Sequence, residues 1–281
     1  MSMLLALALQ VGYHPGVPDT LGAPDELVNR PPRPERSDTP SNPTSAWLAD
    51  CLKQLETDPA RAHTQAQIKA GETSGADRVI ANHCLGLAAT ELGLWADART
   101  AFLAARDETP EKEHAARARF GTMAGNAALG AGQAEDALAL LAAAETDARA
   151  AGSAPLEAFA ALDRARALVA LEREQEAIGA LAAATRLAPD MGEGWLLTAT
   201  LFRRLGRLED AQEAIEKAAR LAPMEVGVGL EAGVIAVLAG RDEAARQSWQ
   251  SVIATQPDSL AAQTAKEYLA QLGPAAAAET P

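Results

Sequence analysis

Residues 206–223 read GRLEDAQEAIEKAARLAP. Small side chains stand at Ala211 and Ala218 on either side of the bulky Ile215, with Gly206 ahead and Pro223 behind. Spacings of three and four residues put Ala211, Ile215 and Ala218 on one face of a helix. The arrangement returns along the chain. With Ala211 as anchor, the series is Ala98, Ala137, Ala177, Ala211 and Ala245, at spacings of 39, 40, 34 and 34 residues. Five residues before the anchors stand Gly93, Gly132, Glu172, Gly206 and Gly240. Four after stand Phe102, Leu141, Leu181, Ile215 and Trp249; seven after stand Ala105, Ala144, Ala184, Ala218 and Val252. Twelve after stand Pro110, Arg149, Pro189, Pro223 and Pro257, and twelve before stand Gly86, Gly125, Ala165, Ala199 and Gly233. Glu172 and Arg149 are the two clear departures.

Each column has a physical meaning. Small residues twelve before and seven after the anchor let two antiparallel helices approach closely. The bulky residue fills the groove between them. The glycine suits the positive φ at which a first helix ends. The proline ends the unit and is expected to start the next helix. A hairpin of this kind cannot bury its apolar face alone, so it stacks on the next. The longer spacings around Ala137 predict extended helices or a longer hairpin near ETDARAAGSAPLEAF.

The pattern resembles the tetratricopeptide repeat (TPR). Trp195 and Phe202 also fall where that family favours large or aromatic residues in its first helix. The resemblance implies an all-α, right-handed solenoid of stacked hairpins. Upstream, TSAWLADCLKQLETDPARAHTQAQIKAG reads as a degenerate first unit, with Thr44 or Ser45 capping its first helix, Asp58 and Pro59 opening its second and Gly71 ending it. The last helical stretch, DSLAAQTAKEYLAQLG, reads as a solvating cap. The reading therefore divides the chain into an apolar start or signal peptide (1–11), a Pro-rich disordered linker (12–43), about six repeats (44–257), a capping helix (258–273) and a disordered tail (274–281).

Composition narrows the function. Apolar residues make up 48% of 281 residues but aromatic residues only 4%, a balance that suits close-packed helices. The formal net charge of −13 repels phosphate backbones and anionic lipid, which disfavours nucleic acid as a partner. No apolar run reaches the roughly 20 residues of a membrane span. Half of the 16 prolines fall between residues 10 and 44, which forbids a helix or a central strand there. The run Met3–Leu9 matches the hydrophobic core of a signal peptide but has no Lys or Arg before it. An export signal and a plain apolar terminus both remain open, with the balance toward an exported, periplasmic protein over a cytoplasmic one.

No nucleophile elbow, P-loop or dinucleotide fingerprint occurs. His14, His63, His83 and His114 form no spaced ligand pair with one another or with the cysteines. The expectation is a chain without catalytic residues, cofactor or metal. Cys51 and Cys84 fall on first helices of successive units, so a bridge between them and two buried free thiols are both open.

The resemblance implies a non-enzymatic scaffold that binds a protein or peptide segment in a concave groove lined by the first helices. It assigns to that groove His83, Leu87, Arg119, Thr122, Asn126, Leu162, Arg166, Leu196, Thr200, Arg203, Leu230 and Val234. The three arginines can fork onto an acidic peptide or a C-terminal carboxylate, or pair with nearby glutamates such as Glu193. The family's Lys, Asn and Arg clamp is matched only at Asn126, because its partner places hold Thr122 and Asp163. The alternative function is an accessory or regulatory subunit of an enzyme or envelope assembly complex.

Overall fold

Every second helix of the repeating units starts three residues before its anchor alanine, and every first helix ends seven residues before it. The computed structural model describes residues 43–273, all built from α-helices and short turns. The expected signal, most of the linker and the tail lie outside the described residues. In chain order the helices are α1 (Pro43–Leu55), α2 (Pro59–Glu72), α3 (Ala76–Glu91), α4 (Trp95–Glu108), α5 (His114–Gly130), α6 (Ala134–Ala150) and α7 (Ala154–Ala170). They continue with α8 (Glu174–Leu187), α9 (Gly192–Arg204), α10 (Leu208–Leu221), α11 (Val226–Leu238), α12 (Asp242–Thr255) and α13 (Leu260–Leu272). Consecutive helices pack as antiparallel hairpins, and the hairpins stack in series. The fold is the all-α solenoid expected from the repeat.

The seam inside each hairpin follows from side-chain size. All five anchor alanines are fully buried, as are Ala105, Ala144, Ala184 and Ala218. The bulky column is buried too, from Leu141 at 0% to Trp249 at 4% exposure. It lies against the small column of the facing helix. A Cβ added at Gly86 would stand 2.5 Å from Phe102, one at Gly125 2.6 Å from Leu141, and one at Gly233 2.1 Å from Trp249. Where the bulky residue is Leu181 or Ile215, the facing residue is Ala165 or Ala199 in the same buried cluster. Both aromatic members thus face glycine. Each buried Leu or Ile contributes about 1.5–3 kcal/mol.

Turns repeat as regularly. Gly93, Gly132, Gly206 and Gly240 all have φ between 69° and 73°. Glu172 fills the same place at φ 56°, a left-handed conformation that costs a non-glycine residue roughly 1–2 kcal/mol. The prolines act differently from expectation. Pro110, Pro189, Pro223 and Pro257 each follow the end of a helix by two residues, and the next helix begins three or four residues later. They terminate a helix without starting the next, because a short turn must first reverse the chain. Arg149 lacks that effect, so α6 runs on through it to Ala150. The stop comes instead at Gly152 (φ 64°), followed by the Ser153 cap and by Pro155 in the first turn of α7.

The long spacings are accounted for by added helix. Helices α5, α6 and α7 have 17 residues each, whereas α8 to α13 have 13 or 14. An addition of three or four residues is about one turn, so the buried face keeps its direction. In the first hairpin α1 opens at Pro43, which puts Thr44 and Ser45 inside the helix and not at its cap. Asp58 caps α2 by accepting from the Arg61 N–H at 3.0 Å. Gly71 lies within α2, which continues to Glu72. At the far end Ser259 caps α13 by accepting from the Ala262 N–H, and Trp249 packs against Tyr268 with ring centres 5.2 Å apart.

Candidate functional site: the inner helical face

Odd-numbered helices touch the next odd helix at α1–α3, α5–α7, α9–α11 and α11–α13, whereas the even-numbered helices do not pack on one another in this way. Closer spacing on one side bends the stack toward that side, so the odd helices form its inner face.

That face carries a ladder of polar and aromatic contacts, one rung between each pair of successive odd helices from α3 to α11. His83 of α3 meets Phe120 of α5 edge to face, with ring centres 5.3 Å apart. Burial pushes the His83 imidazole below its ordinary range and favours its neutral form. Asn126 of α5 donates to Asp163 of α7 at 2.8 Å. Arg166 of α7 pairs with both Asp163 and Glu193, which lies in the first turn of α9. Arg203 of α9 donates to Glu231 of α11 at 2.6 Å.

Asp163 is the most enclosed rung, at 5% exposure. Burial raises its carboxyl above the ordinary range and outweighs the charge of Arg166 and the hydrogen bonds from Asn126 and Arg166. Burial also opposes the charge on Arg166, but Asp163 and Glu193 more than offset it, so that guanidinium stays above its usual range. Each partner alone would be costly to bury; together, with Asn126, they satisfy one another.

The sequence-derived groove residues separate into three groups. Arg166 and Arg203 take the acid-paired arrangement, and their charges are spent within the array. Arg119 is exposed and has no ion pair among the described residues. Leu196, Leu230, Leu87 and Val234 are half-buried, and the hydroxyls of Thr122 and Thr200 bond back to the carbonyls of Ala118 and Leu196. Leu162 is a correction: it is 1% exposed and belongs to the core shared with Leu181 and Leu201. Its face of α7 is turned into the stack. Asp163 and Glu231 hold the ladder together and were missed as functional positions, although Asp163 stood out as an acid in a place where the family's clamp has a polar residue. Among the described residues, no cluster of His, Cys, Asp and Glu could hold a metal ion.

Beside the ladder, a cleft of about 180 Å³ opens between α7, α8 and α9, lined by Arg166, Val169, Leu181, Leu197, Thr200 and Arg204. At the start of the array Cys51 of α1 faces Cys84 of α3 with Cα atoms 6.4 Å apart and the two sulfurs at bonding distance. Both lie in a buried cluster with Ala62, Ala66 and Ala88.

No protein-family model and no curated protein matches the chain. Solved structures do. PilW, a widely conserved type IV pilus biogenesis factor, superposes with a TM-score of 0.63 at 16% identity, covering 79% of this chain and 98% of its own. PilF of Pseudomonas aeruginosa gives 0.60 at 14% identity, covering 80% and 97%. MamA of Desulfovibrio magneticus RS-1, residues 41 to its end, gives 0.51 at 16% identity, covering 64% and 97%. At these identities the likeness is one of fold. The chain has a tetratricopeptide-repeat-type fold. No helix among the described residues is long and apolar enough to cross a membrane.

Proposed function

We propose that the chain is a non-enzymatic docking scaffold that holds a protein segment along its inner face. The observation that carries this reading is the unbroken ladder from α3 to α11. It fixes the relative positions of five helices and leaves beside it the half-buried Leu196 and Leu230 and the exposed Arg119, which has no ion pair among the described residues. A rigid curved strip of this kind recognises its partner by shape and by several weak contacts at once. The preferred segment has apolar side chains for the leucines and one carboxylate for Arg119. With a net charge of −13, nucleic acid is a poor occupant. Site-specific photo-crosslinking in the source cell tests the reading. Probes at Thr122 and Leu196 are expected to capture one and the same protein, whereas a probe at Gln212 on the outer helix α10 is not. Equal capture from both faces would refute a groove-based role.

A second reading makes the scaffold an accessory subunit of an enzyme or envelope assembly complex. The fold shared with a type IV pilus biogenesis factor favours the envelope version. It agrees with an exported, periplasmic setting, in which Cys51 and Cys84 stay bridged. A captured partner whose catalytic rate changes on binding would support the enzyme version.

A further inference from the structure

The outer side of the first hairpins holds a polar cleft that the ladder does not use. It lies between α2 and α4 above α3, encloses about 240 Å³ and is lined by His63, Gln67, Asn82, Leu85, Asp97 and Thr100. Asn82 stands sixteen residues before the anchor Ala98. At the same offset the other units have Gly121, Ala161, Trp195 and Gly229. A lone amide has therefore entered an otherwise apolar column.

Asn82 is only 6% exposed, yet its amide has no hydrogen-bond partner among the described residues. Nε2 of His63 is buried with no hydrogen-bond partner among the described residues. Gln67 and Asp97, both exposed, bond to no other side chain among the described residues. Buried polar groups are normally satisfied, so the buried, unpartnered His63 Nε2 beside the enclosed Asn82, in an opening rimmed by the exposed Gln67, Asp97 and Thr100, points to a ligand.

The chemistry of the lining selects that ligand. Asp97 carries the one carboxyl group among the six, and as a carboxylate it accepts only. The amide oxygens of Asn82 and Gln67 are acceptors. So is Nε2 of an imidazole protonated on Nδ1. Thr100 spends its proton on the Ala96 carbonyl at 2.9 Å, which leaves its oxygen free to accept. Acceptors arranged around one carboxylate suit a planar cation with several N–H groups, which is a guanidinium. The cleft lacks the three-ligand cluster a metal ion would require. A protein of net charge −13 also draws basic partners toward it.

We propose that this outer cleft receives an arginine side chain of a partner protein. Asp97 takes the charge at the rim, and Asn82 and His63 complete the hydrogen bonds at the floor. The cleft is a second contact point, on the opposite side of the array from the inner face.

The full chain titrated with Nα-acetyl-arginine amide and followed by ¹H–¹⁵N NMR tests the proposal. Saturable shifts are expected around His63, Asn82 and Thr100. Nα-acetyl-citrulline amide, the uncharged isostere, is expected to produce none. Asp97 is exposed, so Asp97→Asn keeps the fold and weakens binding by about tenfold or more. Asn82→Leu places an apolar chain over the floor and abolishes binding while the helical circular dichroism is retained. Absence of saturable shifts with the arginine amide, equal shifts with the citrulline amide, or unchanged affinity in Asp97→Asn would each overturn it.

Discussion

The seam inside each hairpin and the inner face along the stack obey different rules. The seam repeats: a bulky residue lies on a small one in all five anchored units, Phe102, Leu141 and Trp249 on glycine and Leu181 and Ile215 on alanine. The inner face does not repeat. Its rungs are a ring contact, an amide-to-carboxylate bond and two Arg–Glu ion pairs set at different offsets from their anchors. The difference teaches where the constraint lies. Close-packed interiors punish a single misplaced methylene, whereas a half-exposed face is free to vary and so to choose a partner.

If the seam carries stability, its loss is expected to cost the same in long and short hairpins. Leu141→Ala in the 17-residue pair and Ile215→Ala in the regular pair are each expected to cost about 2–5 kcal/mol in urea unfolding. A much smaller cost for Leu141→Ala would mean that the added turn has moved support elsewhere. The Cys51–Cys84 bridge, whose ends are 33 positions apart, is expected to add about 3–4 kcal/mol, lost on treatment with dithiothreitol. Thiol titration of denatured, unreduced protein is expected to find no free sulfhydryl; two would remove the bridge from the account.

Smaller effects sharpen the same contrast at the turns. Glu172→Gly relieves a left-handed glutamate and is expected to stabilise by about 1 kcal/mol, while Gly206→Ala at the matching turn destabilises by about as much. A melting curve unmoved by both changes would show that turn conformation carries no cost. On the inner face the expected effect is a pH dependence. His83 is held below its ordinary range, so the folded state favours the neutral imidazole. That contribution is complete above about pH 6.5 and is lost as pH falls toward the lowered value. Asp163, held above its ordinary range, has the opposite sign and gains on acidification. The difference in stability between wild type and His83→Gln is therefore expected to shrink as the pH drops below about 6.5. A difference constant from pH 7.5 to 5 would contradict the burial of His83.

What was legible in the sequence follows the same division. The seam could be read because only size is at stake, and Ala211, Ile215 and Ala218 declare their sizes directly. The added helix was visible as spacings of 39 and 40, and Arg149 as a departure from the proline column, but not the link between that departure and the run-on of α6. The ladder was legible only as one of two open readings for the arginines, pairing with glutamates such as Glu193; its course from helix to helix was not. Asn126 and Asp163 are 37 residues apart and Arg166 and Glu193 are 27 apart, so their meeting depends on how far each hairpin is advanced past the last. The assignment of Leu162 to the groove failed for a related reason: helical spacing gives a direction but not how deeply the neighbouring helix covers it. The polar cleft at Asn82 left a trace, an amide in an apolar column, that only the enclosing helices α2 and α4 make meaningful.

The most direct test of size pairing is a double-mutant cycle on Gly125 and Leu141 by equilibrium unfolding. Gly125→Ala alone drives a methyl against Leu141 and is expected to cost about 1–3 kcal/mol. In the Leu141→Ala background the same methyl enters vacated space, so the double variant is expected to be more stable than the sum of the single losses by about 0.5–3 kcal/mol. Additive losses would contradict the claim that these two positions hold the hairpin together through their complementary sizes.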